Sequence, residues 1–326
     1  MTTKPQAFQE PDFETLLAEY VEYAVSYCAE GDEEKAAYLN EALTNDSELL
    51  AQVLQALLLK YIADTREKNY WAMQMFRKFV TESDMVDLLA LQYNLKRQTL
   101  VAEDTSVFPP KAAVMESNED LLKRFDLAAY QFHTTGTRLG YKFHALTLDE
   151  RPVITVESED NALVVRYTFL EETQTALVKD ASARMTEVNT GKVSVAILSR
   201  EEGDGTPSAA LIARAQKYLN RDDIAQESDE VTVKAATIKP YVIEVDLYTG
   251  ANPNNHVTDE VAIAAGADFA DRKHRLECFI DREELGHEFY ELGVKRVKVL
   301  QPAEDVVCAW DEAPHCTEVI VNVRAE

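Results

Sequence analysis

The fold is best predicted from residues 191–248, which read GKVSVAILSREEGDGTPSAALIARAQKYLNRDDIAQESDEVTVKAATIKPYVIEVDLY. Apolar residues alternate with small or polar ones from Val193 to Ile197, and this period of two predicts a half-buried strand. The dipeptide Asp204-Gly205 is a turn signal. Thr206 can then cap a helix that has Pro207 at its first position, where the missing N–H does no harm.

The helix after this turn and the strand beyond it complete the unit. Apolar residues continue at helical spacing as far as Leu219, and Asn220 ends the run. Alternation restarts at Val231 and resumes after Pro240 as far as Leu247, which predicts one long bent strand. We therefore expect a strand, an acidic turn that contains glycine, a capped helix and a long strand.

The turn invites comparison with phosphate-binding loops, because Gly203–Thr206 precedes a helix N-terminus. A Walker loop needs a lysine after its second glycine, and none is present. The dinucleotide fingerprint needs a third glycine at the position of Ser208, and the carboxylates of Glu201 and Glu202 would repel an anion. We predict a plain tight turn with a helix cap, and small-ligand binding at this turn stays open as a further alternative.

Several segments of the chain resemble the baseplate J-like family of contractile phage tails. They are ILSREEGDGT, VTVKAATIKPYVIEVDLY and LGVKRVKVL in the second half, PDFETLLAEY near the N-terminus, and the stretches Leu89–Arg97 and Met115–Phe132 between them. They follow the family order and spread over most of the chain. The similarity is to the short form found in temperate phages of the enterobacterial type and in related tailocins.

The resemblance implies a structural role in a baseplate wedge of a phage tail or tailocin particle. It implies two copies of the chain per wedge, bundled with a different wedge protein, and copies linked around the tail hub into a ring of sixfold symmetry. The expected partners are therefore a second copy, another wedge protein and the hub or sheath-proximal baseplate proteins. The host cytoplasm is the expected location during assembly.

Composition limits the classes of partner. The 326 residues suggest two or three domains, and a hydrophobic content of 46% is ample for folded cores. With 33 basic and 58 acidic residues the net charge is -25. Binding to nucleic acid or to an anionic membrane needs lysine and arginine to neutralise phosphates, so we predict neither partner.

Local signatures of catalysis and metal binding are weak. The chain contains no HExxH and no GxSxG sequence, and its four cysteines form no CxxC pair. His315-Cys316 and Cys308 lack a fourth ligand at zinc spacing. We predict no catalytic, cofactor-binding or metal-binding residues and no enzymatic activity. The competing hypothesis is a cell-wall-degrading enzyme carried on the tail.

We predict an α+β, multidomain chain. Residues 1–98 should form an N-terminal helical segment that joins a bundle between subunits. Residues 99–190 should form a middle, wing-like domain in which about 150–190 is an insertion that contains a β-hairpin. Residues 191–326 should form a C-terminal α/β module that carries self-association.

The strongest helical pattern lies in the N-terminal segment. It runs from a cap at Asp46 or Ser47 to Val80, about 34 residues or roughly 50 Å at 1.5 Å per residue. A helix this long needs packing partners along its length, which are either other chains or its own chain. The candidate interface residues on this helix are Leu50, Val53, Leu54, Leu57, Leu58, Tyr61 and Ile62.

The C-terminal module is predicted to hold two helices, at about 258–275 and 281–292, and then a strand that begins at Val294. The remaining candidate interface residues, Lys295, Arg296 and Lys298, cluster in this strand. Such charges can protect an exposed sheet edge from pairing. Alternatively, they meet an acidic patch on a second copy, such as one bearing Glu283-Glu284, and set the register of a ring.

Overall fold

A computed structural model describes residues 7–132, 136–150, 153–159, 162–168, 176–249 and 257–325 of the chain. Helices and several small sheets occur together, which confirms the predicted α+β class. The chain divides into two compact units, Met1–Asn94 and Leu95–Glu326. The finer boundaries at residues 98 and 190 stay a prediction.

The first unit is helical. Asp12 accepts a hydrogen bond from the Thr15 backbone N–H, and Asp32 accepts from Glu34 and Lys35, so both carboxylates cap a helix. Its helices are α1 (Phe13–Ala29), α2 (Glu33–Thr44), α3 (Leu49–Gln74) and α4 (Ser83–Ala90).

Helix α3 is shorter than the predicted helix. It begins at Leu49 and ends at Gln74, 26 residues in all, and neither Asp46 nor Ser47 caps it. The Gln74 side-chain oxygen accepts hydrogen bonds from the backbone N–H of Thr81 at 2.7 Å and of Glu82 at 3.2 Å. These bonds hold a turn in place, so the apolar residues beyond Gln74 keep helical spacing without being helical.

Apolar residues at helical spacing, Met85, Leu88, Leu89 and Leu95, predict a further helix from Asp84 to Lys96, and this prediction is also too long. Helix α4 ends at Ala90 and continues only as a 3₁₀ turn over Leu91–Tyr93. Asn94 then adopts the left-handed conformation, with φ 58°, which an asparagine tolerates better than most residues do. A left-handed residue cannot continue a helix, and this ends the segment.

The second unit begins with a small hairpin and two helices. The sequence from Arg97 to Pro110, which ends in two prolines, predicts a loop, but it contains a strand that pairs with residues near Met115. The hairpin predicted from alternation in Val153–Val156 and Leu163–Phe169 is confirmed, and the last residue of that prediction, Phe169, lies outside the described residues. The elements are β1 (Thr99–Val101), β2 (Val114–Met115), α5 (Asn118–Ala128), α6 (Arg138–Leu146), β3 (Val153–Glu159) and β4 (Ala162–Thr168).

A three-stranded sheet follows, formed by β5 (Val178–Met185), β6 (Lys192–Ser199) and β7 (Glu230–Ala235). Strand β6 lies in the centre, antiparallel to β5 and parallel to β7. The prediction of a half-buried β6 was wrong, because every residue of 193–199 is buried. Ile197 packs on the helical side of the sheet, and Leu198 packs on Leu276 and Ala313 further along the chain, so both faces are covered.

The helix after the turn, α7 (Ala209–Leu219), begins later than predicted. Ser208 is its cap and accepts a hydrogen bond from the Leu211 backbone N–H at 3.1 Å, so Thr206 is not the cap. The expected long bent strand is two strands, β7 and β8 (Thr237–Thr249), which belong to different sheets. Only Ala236 separates them.

The last part of the C-terminal module, from β8 onwards, is a sheet covered by two helices on one face. Strand β8 is central, with β10 (Arg296–Gln301) antiparallel on one side and β12 (Glu312–Ala325) parallel on the other. Ile243, Val245 and Leu247 of β8 pack against Phe269 and Phe289, which belong to the two helices predicted at about 258–275 and 281–292. The remaining elements are α8 (Asp259–Lys273), β9 (Phe279–Ile280), α9 (Arg282–Tyr290), β10 (Arg296–Gln301), β11 (Val306–Val307) and β12 (Glu312–Ala325).

Candidate functional site

The predicted interface residues of α3 lie on two sides of the helix. Leu58 is 2% exposed and forms a small core with Leu16 of α1 and with Ile62. Leu54 is half-buried and packs against the same core. These three α3 side chains are therefore occupied within their own unit.

The other four predicted residues of α3 face solvent. Leu50, Val53, Leu57 and Tyr61 are between 45% and 63% exposed. Their spacings of three, four and four residues place them on one side of a helix, so they form a continuous apolar stripe. We call these four residues the α3 stripe.

More apolar surface is exposed elsewhere in the same unit. On α1 the rings of Tyr23 and Tyr27 stack on each other with centroids 6.5 Å apart, and both are largely exposed. Contiguous exposed apolar patches of several hundred Å² mark interaction surfaces, whereas single exposed apolar side chains are normal. Further exposed large apolar side chains of this unit are Tyr38, Leu49, Leu59, Trp71, Met75 and Phe76.

The predicted basic cluster lies at the edge strand β10 of the C-terminal sheet. Arg296 and Lys298 are exposed and stand opposite Tyr248 and Asp246 on the face away from the helices. The Arg296 guanidinium lies 4.0 Å from the centroid of the Tyr248 ring, a cation–π contact. Lys295 is exposed just before the strand.

Sequence reasoning missed a further basic residue on this face, Arg324 of β12. Its guanidinium contacts the carboxylate of Asp246 at 3.0 Å, and the side chain of Asn322 donates to the same carboxylate oxygen at 3.1 Å. Parallel pairing of β12 with β8 brings these groups together although they are 78 residues apart in the chain. A pattern of neighbouring residues in the sequence cannot predict such a contact. Arg324 thus joins Arg296 and Lys298 on an outer face that also carries the carboxylates of Asp246 and Glu318.

The acidic pair Glu283-Glu284 lies on α9, which covers the opposite face of the same sheet. Both residues are exposed, and the Glu284 carboxylate accepts a hydrogen bond from the Lys273 ammonium at 2.6 Å. The three cations of the outer face and this acidic pair therefore lie on opposite faces of the sheet within one chain.

An open cleft of about 380 Å³ lies between α8 and β12, beside the turn at Gly203. His274 lies at its wall, with Nε2 3.1 Å from the Asp204 carbonyl oxygen and Nδ1 3.3 Å from the Lys179 ammonium. A carbonyl only accepts, so Nε2 donates and Nδ1 accepts from lysine. Burial, and then the charge of Lys179, lowers the pKa of His274 to about 4, so the ring is neutral at pH 7.

Cys316 also lines the cleft, next to His315. Burial raises the pKa of the Cys316 thiol, which keeps it protonated, whereas a nucleophilic cysteine needs a lowered pKa. His274 holds structure through both ring nitrogens, so neither group is arranged for nucleophilic catalysis. Among the side chains that the structure describes, no three His, Cys, Asp or Glu residues are placed to hold a metal ion.

Comparison with known proteins gives one informative relative. No family model matches the chain. Baseplate protein J of Escherichia phage P2 is 27% identical over 314 residues, which cover 96% of this chain and 93% of that protein. The resemblance to the baseplate J-like family is confirmed.

The similarity to baseplate J includes nearly all of both units, because it spans 96% of the chain. It is therefore not confined to a single shared module. In the described ranges, no helix is both long enough and apolar enough to cross a membrane.

Proposed function

We propose that this baseplate J-like chain is a structural component of the baseplate wedge of a contractile phage tail or tailocin, and that it assembles through two surfaces. The α3 stripe carries the proposal, because it is an exposed apolar surface in a chain that resembles baseplate protein J along its length. One surface lies in each unit, so partner binding and self-association can be tested independently. The site of action is the virion baseplate, after assembly in the host cytoplasm.

The first surface is the α3 stripe, and its partner is a different wedge protein. Leu50, Val53, Leu57 and Tyr61 leave apolar area in water that a second helix with an apolar face would bury. Complete burial of a side chain of this size contributes about 1.5–3 kcal/mol, so four half-exposed residues are enough to anchor a helix. The family resemblance implies a helical bundle with another wedge protein, which is the partner that such a stripe fits.

The second surface lies in the C-terminal module, and its partner is another copy of the chain. Its outer sheet face carries Arg296, Lys298 and Arg324, whereas the chain as a whole has a net charge of -25. An acidic surface of a second copy, such as Glu283-Glu284 on α9, would complement these three cations. Copies associated in this way would extend around the tail hub, as the resemblance implies.

The proposal assigns no enzymatic activity to the chain. The protonated Cys316 thiol and the doubly bonded His274 ring support a structural role for the cleft. Zymography of the purified protein on peptidoglycan tests the competing hypothesis of a cell-wall-degrading enzyme. We expect no clearing, and clearing by the homogeneous protein would favour the enzyme.

The decisive experiment compares two charge insertions on α3. Leu57 and Leu59 are 63% and 57% exposed, but two residues of helix place them about 200° apart. The chain is co-expressed with the product of the adjacent gene, and the complex is weighed by native mass spectrometry. Leu57→Glu should abolish the complex and leave the chain folded, whereas Leu59→Glu should retain it. Equal binding by both variants would refute the assignment of the stripe.

A further inference from the structure

Strand β12 ends the C-terminal sheet with an unusually long edge. It contains 14 residues and pairs with β8 on one side. Over the described part of the chain, no strand pairs with its other side. Backbone N–H and C=O groups along such an edge are a template for another strand unless the edge is blocked.

The regular part of this edge begins at Glu318. The pairing of β12 with β8 shifts by one residue between Cys316 and Glu318, and such a bulge interrupts an edge. From Glu318 to Ala325 the register is continuous. The valines of this part, Val319, Val321 and Val323, face the core and remain only half-buried. The edge is therefore both regular and incompletely covered.

Helix α8 leaves apolar surface beside the same edge. It crosses β12 at Gly266, where an added Cβ would lie 2.7 Å from a methyl group of Val319. Ile263, 42% exposed, lines the open cleft with Val319, and Val261 on the same helix is 52% exposed. A second chain placed along β12 would cover this surface as well as the strand.

We propose that two copies of the chain associate by antiparallel pairing of their β12 edges about a twofold axis at Val321. The inference rests on the proposed self-association of the C-terminal module and adds a second contact between copies, separate from the one between the outer face and α9. A twofold axis perpendicular to the sheet keeps each face on its own side, so both α8 helices lie on one face of a continuous six-stranded sheet. The exposed residues of α8 then come together across the seam.

Charge selects this register. Centred on Val321, the pairing sets Glu318 of each copy directly opposite Arg324 of the other, on the outer face. Directly opposed charges of opposite sign stabilise an antiparallel pair, whereas like charges destabilise it. A centre at Ile320 sets Glu318 against Asn322 instead, and a centre at Asn322 assigns position 318 to position 326, which is also a glutamate. Only the centre at Val321 forms two ion pairs.

The side chains are available for these ion pairs. Glu318 is exposed, and among the described residues no cation lies within ion-pair distance of its carboxylate. The Arg324 side chain is more than half exposed although it contacts Asp246. A guanidinium has five N–H donors, so it can bind Asp246 and an incoming carboxylate together.

The first test reverses the charge of Glu318 in the full-length chain. Glu318→Arg should weaken the dimer on the order of 10-fold or more, because it turns two attractions into two repulsions. Glu318→Gln should weaken it less. Glu304→Arg makes the same charge change at an exposed position in the loop between β10 and β11 and should leave the dimer unchanged. Sedimentation equilibrium at low and high salt measures all four proteins.

The second test reports the register. Position 320 of one copy should oppose position 322 of the other, so a mixture of Ile320→Cys and Asn322→Cys proteins should form a disulfide-linked dimer on mild oxidation. Each variant alone should crosslink far less, and the wild type measures the contribution of the native cysteines. Efficient crosslinking of Ile320→Cys with itself would overturn the register.

The outcomes separate this inference from the proposed function. A wild-type dimer that Glu318→Arg leaves intact would overturn edge pairing and leave self-association standing. A wild type that stays monomeric at every concentration would overturn both. Binding of the wedge partner through the α3 stripe is unaffected in either case, and its loss would be a failure of the proposed function alone.

Discussion

The Nε2 atom of His274 lies 3.1 Å from the carbonyl oxygen of Asp204, and this contact joins the end of α8 to the turn after β6. Lys179 of β5 approaches the other ring nitrogen at 3.3 Å and also forms an ion pair with Asp271. The histidine therefore connects the sheet of β5, β6 and β7 with α8, a helix that covers the sheet of β8, β10 and β12. It does so as a neutral ring that donates on one side and accepts on the other.

This arrangement predicts a loss of stability in weak acid. The pKa of His274 is about 4 in the folded chain, below the ordinary value near 6.5, so the unfolded chain binds the proton more readily. The stabilisation is complete above about pH 6.5 and is lost as the pH falls towards 4. The free energy of unfolding, measured in urea, should decrease by roughly 1–2 kcal/mol between about pH 7 and pH 5.

The control for this prediction is His274→Gln. A glutamine side chain can keep one hydrogen bond but does not titrate, so the variant should be less stable at pH 7 and less dependent on pH in the same window. Parallel pH profiles for the two proteins would show that His274 is not the cause.

Gly205 should not tolerate a side chain. It adopts φ +88°, and a Cβ there would lie 2.4 Å from Cδ1 of the buried Leu198 and 3.0 Å from Nε2 of His274. Gly205→Ala should cost roughly 2–4 kcal/mol through strain and overpacking. Gly203 has nothing within 4 Å of an added Cβ, so Gly203→Ala should change stability by less than about 0.5 kcal/mol. Thermal denaturation compares the two.

The true cap of α7 should carry the larger effect. Ser208 accepts from the Leu211 N–H and donates to a Glu201 carboxylate oxygen at 3.0 Å, so Ser208→Ala should cost about 1 kcal/mol. Thr206 is outside the helix, and Thr206→Ala should cost less. Chemical denaturation of both variants decides, and the reverse order would contradict the observed helix start.

Truncation of two adjacent leucines of α3 should affect different properties: stability in one case and partner binding in the other. Leu58→Ala removes a side chain that is buried between α1 and α3, and it should cost about 2–4 kcal/mol for the first unit. Leu57→Ala should leave the stability of the isolated chain nearly unchanged, because Leu57 faces solvent. The same truncation should weaken the complex with the wedge partner, which calorimetry can measure.

Sequence periodicity identified the apolar residues of α3 but could not show which of them are buried against other helices and which face solvent. Leu57 and Leu58 have the same chemistry, and a face wider than one packing partner can cover is divided between core and surface. The division depends on where α1 lies, which is a tertiary property. The predicted length of the helix was wrong for a similar reason, because the Gln74 side chain accepts hydrogen bonds from residues further along the chain and the helix ends there.

The strands show the same limit. Alternation located β10 and the part of β8 that follows Pro240, because each buries one face. It joined β7 to β8, since Ala236 is apolar and no glycine or proline marks the break. It also underestimated the burial of β6, whose second face is covered by residues more than 75 positions away, among them Leu276. Arg324 was missed because its partner, Asp246, is supplied by the parallel pairing of β12 with β8.

Ala236 also has a mechanical consequence. It is buried between β7 and β8, its N–H donates to the Ile197 carbonyl at 2.9 Å, and the next N–H, of Thr237, donates to Asp311 at 2.8 Å. Tension applied along β8 therefore passes to the sheet of β5, β6 and β7 through one residue, because no flexible linker lies between the two strands. The hydrogen bonds on both sides of that residue would be loaded together, so the two sheets should move under force as a single stiff element.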